Sequence, residues 1–243
     1  MAGAVSRADG RAADAMRPVT IEAGINPYAE GSVLIAFGGT RLICTASVEE
    51  TQPSFLRPSE QGWVTAEYGM LPRATHTRNR REVSRGKASG RTMEIQRLIG
   101  RSLRAVIDLE RLGPRTVIID CDVLQADGGT RTAAITGGWL ALRQAVSRLL
   151  ADGMIAQDAV VGQVAAVSCG VVDGVSLLDL AYEEDARAEM DANFVMTAEG
   201  GVVELQATAE GRALPWARIE ELKELAARGI AQLVTAQREA LAV

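Results

Sequence analysis

Residues 117–146 read VIIDCDVLQADGGTRTAAITGGWLALRQAV, a strand, a glycine turn and a helix in direct succession. The β-branched run from Val117 predicts the strand, Asp127-Gly128-Gly129 breaks it, and an apolar, alanine-rich helix follows from about Thr132. This order gathers backbone N–H groups and the positive end of a helix dipole around one point. The segment predicts either an anion site or only a tight turn whose glycines supply unusual dihedrals. No Lys-Ser or Lys-Thr pair follows the glycines, which excludes a P-loop.

The composition is that of a globular chain in a reducing compartment. Its 243 residues, 47% of them apolar, can bury one large core or two small ones. No apolar run is long enough to span a membrane, and the N-terminal residues lack the apolar core of a secretory signal. The three cysteines stand singly in apolar runs, which argues against disulfides and against a zinc site. We therefore expect a cytoplasmic protein with no membrane partner.

The single histidine, His76, restricts the possible mechanisms. A Ser-His-Asp triad, a histidine acid/base pair or a histidine-ligated metal would have to use this residue, which lies in an arginine-rich segment. Histidine-based chemistry is therefore disfavoured, and any metal ion would be held by carboxylates.

The basic residues are concentrated in one segment, the basic strip. The net charge is −5, but between Arg73 and Arg104 ten basic residues are opposed only by Glu82 and Glu94, which leaves +8 in the strip and −13 in the rest of the chain. A basic patch in an acidic protein predicts a polyanionic partner. The alternative is a solvated basic loop with ion pairs at an interface.

Hydrophobic patterning predicts the same order of elements twice. Each half begins with strands and ends with a helix, which predicts an α+β fold of two pseudo-repeated halves, about residues 11–150 and 160–243, in one compact domain. The expected hairpins turn at Gly38-Gly39, Asp173-Gly174 and Gly200-Gly201, and the expected helices cover Ser89 to Leu109, the segment from Thr132 and the segment after Pro215.

A cluster of carboxylates follows the second-half hairpin. Asp179 ends an otherwise apolar strand, where packing gives no reason for a charge, and an acidic run and Asp191 come after it. Carboxylate oxygens and water are the ligands that Mg²⁺ prefers. The alternative is that Glu183, Glu184 and Asp185 form a solvated acidic turn, an explanation that fits Asp179 least.

An anion site, a basic strip and a carboxylate metal site together suit chemistry on phosphate. Arginines and backbone N–H groups would hold the anion, and a metal ion would offset charge at the reacting phosphorus. Hydrolysis usually requires a base that deprotonates water, whereas inorganic phosphate arrives already ionised. The scarcity of histidine is compatible with phosphate as the nucleophile.

Three ordered motifs resemble the bacterial ribonuclease PH family, and the resemblance covers essentially the whole chain, from Arg11 and Arg17-Pro18-Val19 to the final helix. The motifs are GWVTAEYGMLPR at 62–73, GRTMEIQRLIGR at 90–101 and CDVLQADGGTRT at 121–132. The chain departs from the family at ATAEG, residues 207–211, where a glycine is usual in place of one alanine, and at ALPW, residues 213–216. The departures concern only the lead-in to the last helix.

The resemblance implies a phosphate-dependent 3′-to-5′ exoribonuclease that trims tRNA precursors, with rRNA as a further substrate, and releases nucleoside diphosphates. It implies the ribonuclease PH fold, also described as ribosomal-protein-S5-domain-2-like, with two βαβα-type halves in a single domain over residues 1–243. It also implies Mg²⁺ or Mn²⁺ as cofactor, inorganic phosphate as co-substrate and a homo-hexamer built as a trimer of dimers. The alternatives are a non-catalytic RNA-binding ring subunit of the same fold and a small-molecule kinase.

Carried over position by position, the resemblance assigns roles to individual residues. Inorganic phosphate would bind to Arg91, Gly129, Thr130 and Arg131. The metal ligands would be Asp179 and Asp185, and the catalytic residues would be these two with Asp191. The residues that bind tRNA or contact neighbouring subunits would be Arg73, Arg78 and Arg81.

Overall fold

Two β-sheets form the framework of the chain in a computed structural model, which describes residues 7–57, 59–82, 84 and 86–242. The first sheet has the order β1-β2-β3-β5-β4 and is antiparallel except that β4 runs parallel to β5. The second has the order β7-β6-β8-β9 and is antiparallel throughout. The strands are β1 (Val19–Ala23), β2 (Gly31–Phe37), β3 (Thr40–Glu49), β4 (Trp63–Met70), β5 (Thr116–Gln125), β6 (Val164–Val172), β7 (Val175–Leu178), β8 (Met190–Thr197) and β9 (Val202–Ala209).

One helix lies at the centre of the fold and packs against both sheets. The helices are α1 (Gly90–Arg104), α2 (Leu109–Leu112), α3 (Thr130–Ala151), α4 (Tyr182–Asp185) and α5 (Trp216–Leu241). The central helix, α3, contacts β2, β3 and β5 in the first sheet and β6 in the second, and every residue from 132 to 142 is buried. A helix that is apolar on all sides is stable only when it is covered on all sides. No helix in the described part of the chain combines the length and apolar character needed to cross a membrane.

The predicted α+β class is confirmed, and so are the hairpins. The strands β2 and β3 pair on either side of Gly38-Gly39, β6 and β7 pair around Asp173-Gly174, and β8 and β9 pair around Gly200-Gly201. Pro215 precedes α5 as the sequence predicts. These turns require little beyond local sequence, because glycine and Asp-Gly pairs supply the dihedrals of tight hairpin turns.

Two boundaries differ from the sequence prediction. The helix predicted to reach Leu109 ends at Arg104, because the side chain of Asp108 accepts hydrogen bonds from the N–H groups of Glu110 and Arg111 and starts α2 instead. A side chain that caps a new helix competes with continuation of the old one. The second-half strand stops at Leu178, so that Asp179 follows β7 and adopts a positive φ of 53°.

Two adjacent glycines of α3 provide a test of how closely this helix packs. A Cβ atom on Gly137 would lie 2.8 Å from Cys44 Sγ and from Ile35 Cγ2, whereas one on Gly138 would lie 3.3 Å from Ile119 Cγ2. We expect Gly137→Ala to lower the free energy of unfolding by about 1–3 kcal/mol through overpacking. Gly138→Ala should change it by less, because the higher helix propensity of alanine, roughly 1 kcal/mol, offsets the milder contact. Urea denaturation of both variants tests this, and an equal loss in both would contradict it.

Candidate phosphate and metal site

The glycine turn between β5 and α3 is built against the second half of the chain. Gly128 and Gly129 have φ values of 76° and 67°, and Gly129 is the N-cap of α3. A Cβ atom on Gly128 would lie 2.5 Å from the carbonyl oxygen of Leu180, so only glycine fits there. The turn thus directs the free N–H groups and the positive dipole end of α3 toward a cavity between the halves.

This cavity has a volume of about 1050 Å³ and brings together most of the residues that the sequence predicts for the site. Arg91 lies in the first turn of α1, and Arg131 lies in the first turn of α3, so two guanidinium groups stand at two helix N-termini. Thr130 is held in place by the hydroxyl of Tyr68, which donates a hydrogen bond of 2.8 Å to its Oγ1. The lining also includes Gly129, Thr130, Ser168, Asp185, Asp191 and Asn193.

Two carboxylates face these arginines. Asp185 ends α4 and Asp191 belongs to β8, and both line the cavity. Burial and the neighbouring charge of Asp191 raise the pKa of Asp185, against the opposing effect of Arg91 and Arg131. Burial also raises the pKa of Asp191. Two close carboxylates with raised pKa values indicate negative charge that protein groups compensate only in part, the condition under which a cation binds.

Asp179, the third aspartate of the prediction, lies elsewhere. It is completely buried, and both of its carboxylate oxygens are engaged by Arg17, whose Nη2 lies 2.7 Å from Oδ1 and whose Nε lies 2.9 Å from Oδ2. The backbone N–H of Arg17 donates a further bond of 2.8 Å to Oδ2. Asp179 is not among the residues that line the cavity, so the structure groups Asp185 with Asp191 and pairs Asp179 with an arginine.

The acidic run after Asp179 is also held by arginine. Arg7 is fully buried and forms a two-pronged ion pair with Glu184, at 2.7 Å from Nε and 2.8 Å from Nη2. Burial opposes the charge of Glu184, but the hydrogen bonds from Arg7 and from the backbone of Ala181 hold its pKa below the ordinary value. Of the three residues in the alternative of a solvated acidic turn, Glu183 and Asp185 are exposed and Glu184 is buried. The ion pair of Glu184 with Arg7 fixes the turn that carries Asp185.

The exposed arginines of the basic strip lie at the edge of a second cavity. Arg73, Arg78 and Arg81 are exposed, and Arg73 lines a cavity of about 960 Å³ that shares His76 and Tyr182 with the first. Glu82 accepts hydrogen bonds from Ser89 and Thr92 near the start of α1. Arg85, which also belongs to the strip, lies outside the described residues. The strip thus leads toward the site without forming a core of its own.

Several residues of the site carry no recognisable signal in the sequence. Ser168 is a polar residue within the fully buried strand β6, and Asn193 lies in β8, where polar and apolar residues alternate. Arg7 and Arg17 precede the first strand and contact residues more than 160 positions away. Only the positions of lone polar residues in the apolar strand β6 could have suggested Ser168 as a site residue.

The carboxylates present fit a magnesium or manganese ion better than a zinc ion. Within residues 7–57, 59–82, 84 and 86–242, no three His, Cys, Asp or Glu side chains form a group that could enclose a metal. Mg²⁺ usually keeps several waters and is bound through one or two carboxylates together with substrate phosphates. Asp185 and Asp191, opposite the arginines, match that ligand set.

Comparison with known proteins identifies the family of the chain. The chain matches the models of the 3′ exoribonuclease family, domain 1 over residues 15–147 and domain 2 over residues 162–229. The chain belongs to the 3′ exoribonuclease family. It is 62% identical over 235 residues to Ribonuclease PH of Maricaulis maris, which covers 97% of this chain and 99% of that protein. It is 61% identical over 231 residues to Ribonuclease PH of Caulobacter vibrioides, with 95% and 97% covered.

Solved structures share the fold of this 3′ exoribonuclease at low sequence identity. Rice (Oryza sativa) Rrp46 superposes with a TM-score of 0.78 at 19% identity, covering 97% of this chain and 100% of that one. The Archaeoglobus fulgidus exosome with RNA bound to the active site gives 0.80 at 21% identity, covering 98% and 93%. The resemblance to the ribonuclease PH family is thus confirmed at the level of both sequence and fold.

Asp179 and Asp185 have different surroundings in this 3′ exoribonuclease. We therefore predict that their substitution by asparagine has opposite effects on the free energy of unfolding. Asp179→Asn should lower the free energy of unfolding by about 3 kcal/mol, because it removes the buried counter-charge of Arg17 and leaves only the more exposed Asp127 at 3.8 Å. Asp185→Asn should raise the free energy of unfolding of the metal-free protein at neutral pH. The raised pKa means that the charged form is disfavoured in the folded state, and asparagine removes that charge.

Denaturation in the presence of a chelator, at neutral and at acidic pH, measures both effects. The gain from Asp185→Asn should disappear as the pH falls through the raised pKa, since the wild-type carboxyl is then protonated as well. Equal destabilisation by the two substitutions would show that Asp185 is held by the protein in the same way as Asp179.

Proposed function

We propose that the chain removes nucleotides from the 3′ ends of tRNA precursors by phosphorolysis, transferring each terminal nucleotide to inorganic phosphate. The observation that supports this most directly is the arrangement of one cavity. Arg91 and Arg131, at the starts of two helices, face Asp185 and Asp191 across it. The arginines would bind an anionic nucleophile, and the carboxylates would bind a cation. The 3′ end of the RNA would lie between the two groups.

In the proposed reaction an oxygen of inorganic phosphate attacks the phosphorus that joins the last two nucleotides. The new P–O bond makes a nucleoside diphosphate, and the bond between that phosphorus and the 3′ oxygen of the preceding nucleotide breaks. The proton of hydrogen phosphate balances the charge on the released 3′ oxygen. The guanidinium groups of Arg91 and Arg131 and the N–H groups at the start of α3 bind the attacking phosphate with charge-assisted hydrogen bonds.

The metal would be held by Asp185 and Asp191, a revision of the pair Asp179 and Asp185 that the resemblance implied. The reason is that Arg17 already engages both carboxylate oxygens of Asp179. A bound Mg²⁺ or Mn²⁺ would offset the negative charge that gathers at the reacting phosphorus. The alternative role of Asp191 is to act as the acid that protonates the leaving 3′ oxygen, because burial raises the pKa of its carboxyl group.

The partners of the proposed enzyme follow from the basic strip. We propose that Arg73, Arg78 and Arg81 bind the body of the tRNA or contact neighbouring subunits of a homo-hexamer built as a trimer of dimers in the cytoplasm. The exposure of these arginines in the lone subunit supports such a role. The solved relatives include an archaeal exosome core, a multi-subunit assembly. The site takes residues from both halves, which supports treating the chain as a single domain.

The test of the proposed function is product analysis with a tRNA that carries a 3′ extension. We expect nucleoside diphosphates to appear only when inorganic phosphate is supplied, and Arg91→Ala to raise the phosphate KM or lower kcat/KM by about one to two decades, because a charge-assisted bond is lost. The protein should stay folded, since Arg91 is exposed.

Arg148→Ala is the matched control, because Arg148 lies at the opposite end of α3 and, among the described residues, its ion pair is with Asp152 at 3.8 Å. Release of nucleoside monophosphates without phosphate would contradict phosphorolysis. Absence of any product with phosphate and Mg²⁺ or Mn²⁺ would favour the non-catalytic ring subunit.

The arginines of the basic strip lead to a prediction about the salt dependence of tRNA affinity and about the oligomeric state. If its arginines bind tRNA phosphates, Arg73→Ala and Arg78→Ala should each reduce the slope of log affinity against log salt by roughly one. If they join subunits, the same variants should shift the particle toward dimers. The activity on long tRNA substrates should then fall more than the activity on short single-stranded RNA. Sedimentation and tRNA binding at two salt concentrations measure both. Variants that remain hexameric with an unchanged slope would make the strip a solvated loop.

A further inference from the structure

Arg131 is attached to a network of side chains that lies behind the cavity. Its Nη1 donates a hydrogen bond of 2.7 Å to Oε1 of Gln206 and lies 3.4 Å from Oε1 of Glu94. Among the described residues these are its only side-chain partners, and both contacts use the same nitrogen. The remaining nitrogens of the guanidinium group are therefore left for an anion in the cavity.

Gln206 binds two carboxylates at the same time, those of Glu94 and Glu204. Its Nε2 donates to Oε1 of Glu94 at 3.0 Å and to Oε1 of Glu204 at 2.9 Å, while Glu204 pairs with Arg101 at 2.5 Å. The network therefore connects β9 of the second half with α1 and α3 of the first, the two helices that carry the cavity arginines. Gln206 itself is not among the residues that line the cavity, and its strand partner Asn193 is.

The chemistry of the three side chains explains why an amide occupies position 206. Arg131 and Glu94 form a long ion pair, at 3.4 Å from Nη1 to Oε1, and a closer, two-pronged pair would compete with phosphate for the same guanidinium group. An amide accepts from the arginine through its oxygen and donates to the carboxylate through its nitrogen. Gln206 therefore binds Glu94 and leaves its pair with Arg131 as a single long contact.

We propose that Gln206 is a positioning residue for phosphate, which keeps Arg131 oriented into the cavity and limits Glu94 to one long contact at Nη1 of Arg131. This inference rests on the proposed function of the site, in which Arg131 binds inorganic phosphate. Gln206 acts through Arg131 and does not touch the substrate.

The test uses Gln206→Met, which retains the length of the side chain and loses its three hydrogen bonds, to Arg131, Glu94 and Glu204. Titration calorimetry with inorganic phosphate should show about fivefold to tenfold weaker binding, and phosphorolysis of single-stranded RNA should show the same rise in phosphate KM. At saturating phosphate, kcat and the KM for RNA should stay within about twofold of wild type. Gln61→Met is the matched control, because Gln61 is exposed and its amide contacts Glu110 at 3.4 Å away from the cavity.

Two further variants separate positioning from a purely structural role. Adding Glu94→Gln to Gln206→Met should restore phosphate affinity to within about twofold, because the competing charge is gone. In an Arg131→Ala background, Gln206→Met should have no further effect on phosphate binding. A structural role would leave the variant with Gln206→Met and Glu94→Gln as impaired as Gln206→Met alone, and would make Gln206→Met weaken phosphate binding further in the Arg131→Ala background.

The results that overturn the inference differ from those that overturn the function. Unchanged phosphate affinity in Gln206→Met, or a loss of thermal stability and kcat with phosphate affinity unmoved, would remove Gln206 from this role. Phosphate binding that weakens as expected in a protein without phosphorolytic activity would support the inference and contradict the proposed function.

Discussion

A single buried guanidinium group joins the parts of the site. Arg17 precedes the first strand, yet it binds both carboxylate oxygens of Asp179 in the second half. It also donates to the carbonyl oxygens of Asp127 and Gly128, the residues of the glycine turn. The turn leads into α3 with Arg131, and Asp179 leads into α4 with Asp185. The separation between the phosphate side and the metal side of the cavity therefore depends on this one side chain.

A buried ion pair of this kind specifies geometry more than it adds stability. The desolvation of two charges offsets much of their attraction, so replacement of both partners by apolar groups is often tolerated, whereas removal of one is strongly destabilising. The pair between Arg7 and Glu184 follows the same logic and fixes the short helix that ends at Asp185. The segment from Arg7 to Arg17 thus contributes no group to the cavity and still determines where its carboxylates lie.

Local patterns were sufficient for most of the secondary structure and for the glycine turn, whereas the phosphate-binding role of Arg91 followed only from the resemblance. The glycine turn, the helix after it and the three hairpins depend on residues within a few positions of one another, and the structure contains all of them. The position of Arg91 follows from an amphipathic helix with a serine N-cap. Such features are encoded in short windows, which is why the sequence predicts them.

The metal side depended on contacts that no local pattern records. Asp179 and Asp185 are six positions apart, as are Asp185 and Asp191, so spacing alone cannot choose between the two pairs. The contact with Arg17, which lies 162 positions away, occupies Asp179 and leaves Asp185 and Asp191 as the pair for the metal. The hydrogen bond from Arg131 to Gln206 is likewise a contact between distant segments, which lie 75 positions apart. Long-range pairing of this type becomes visible only once the strands are placed.

The most direct test of this account is the Arg17→Lys variant, measured for phosphate KM and for the Mg²⁺ concentration at half-maximal activity. Lysine retains the charge beside Asp179 but cannot also reach the carbonyl groups of the turn with a planar fork. Since one side chain sets both sides of the cavity, we predict that both values rise together in a variant that remains folded by circular dichroism. A folded Arg17→Lys protein with both values unchanged would contradict the account.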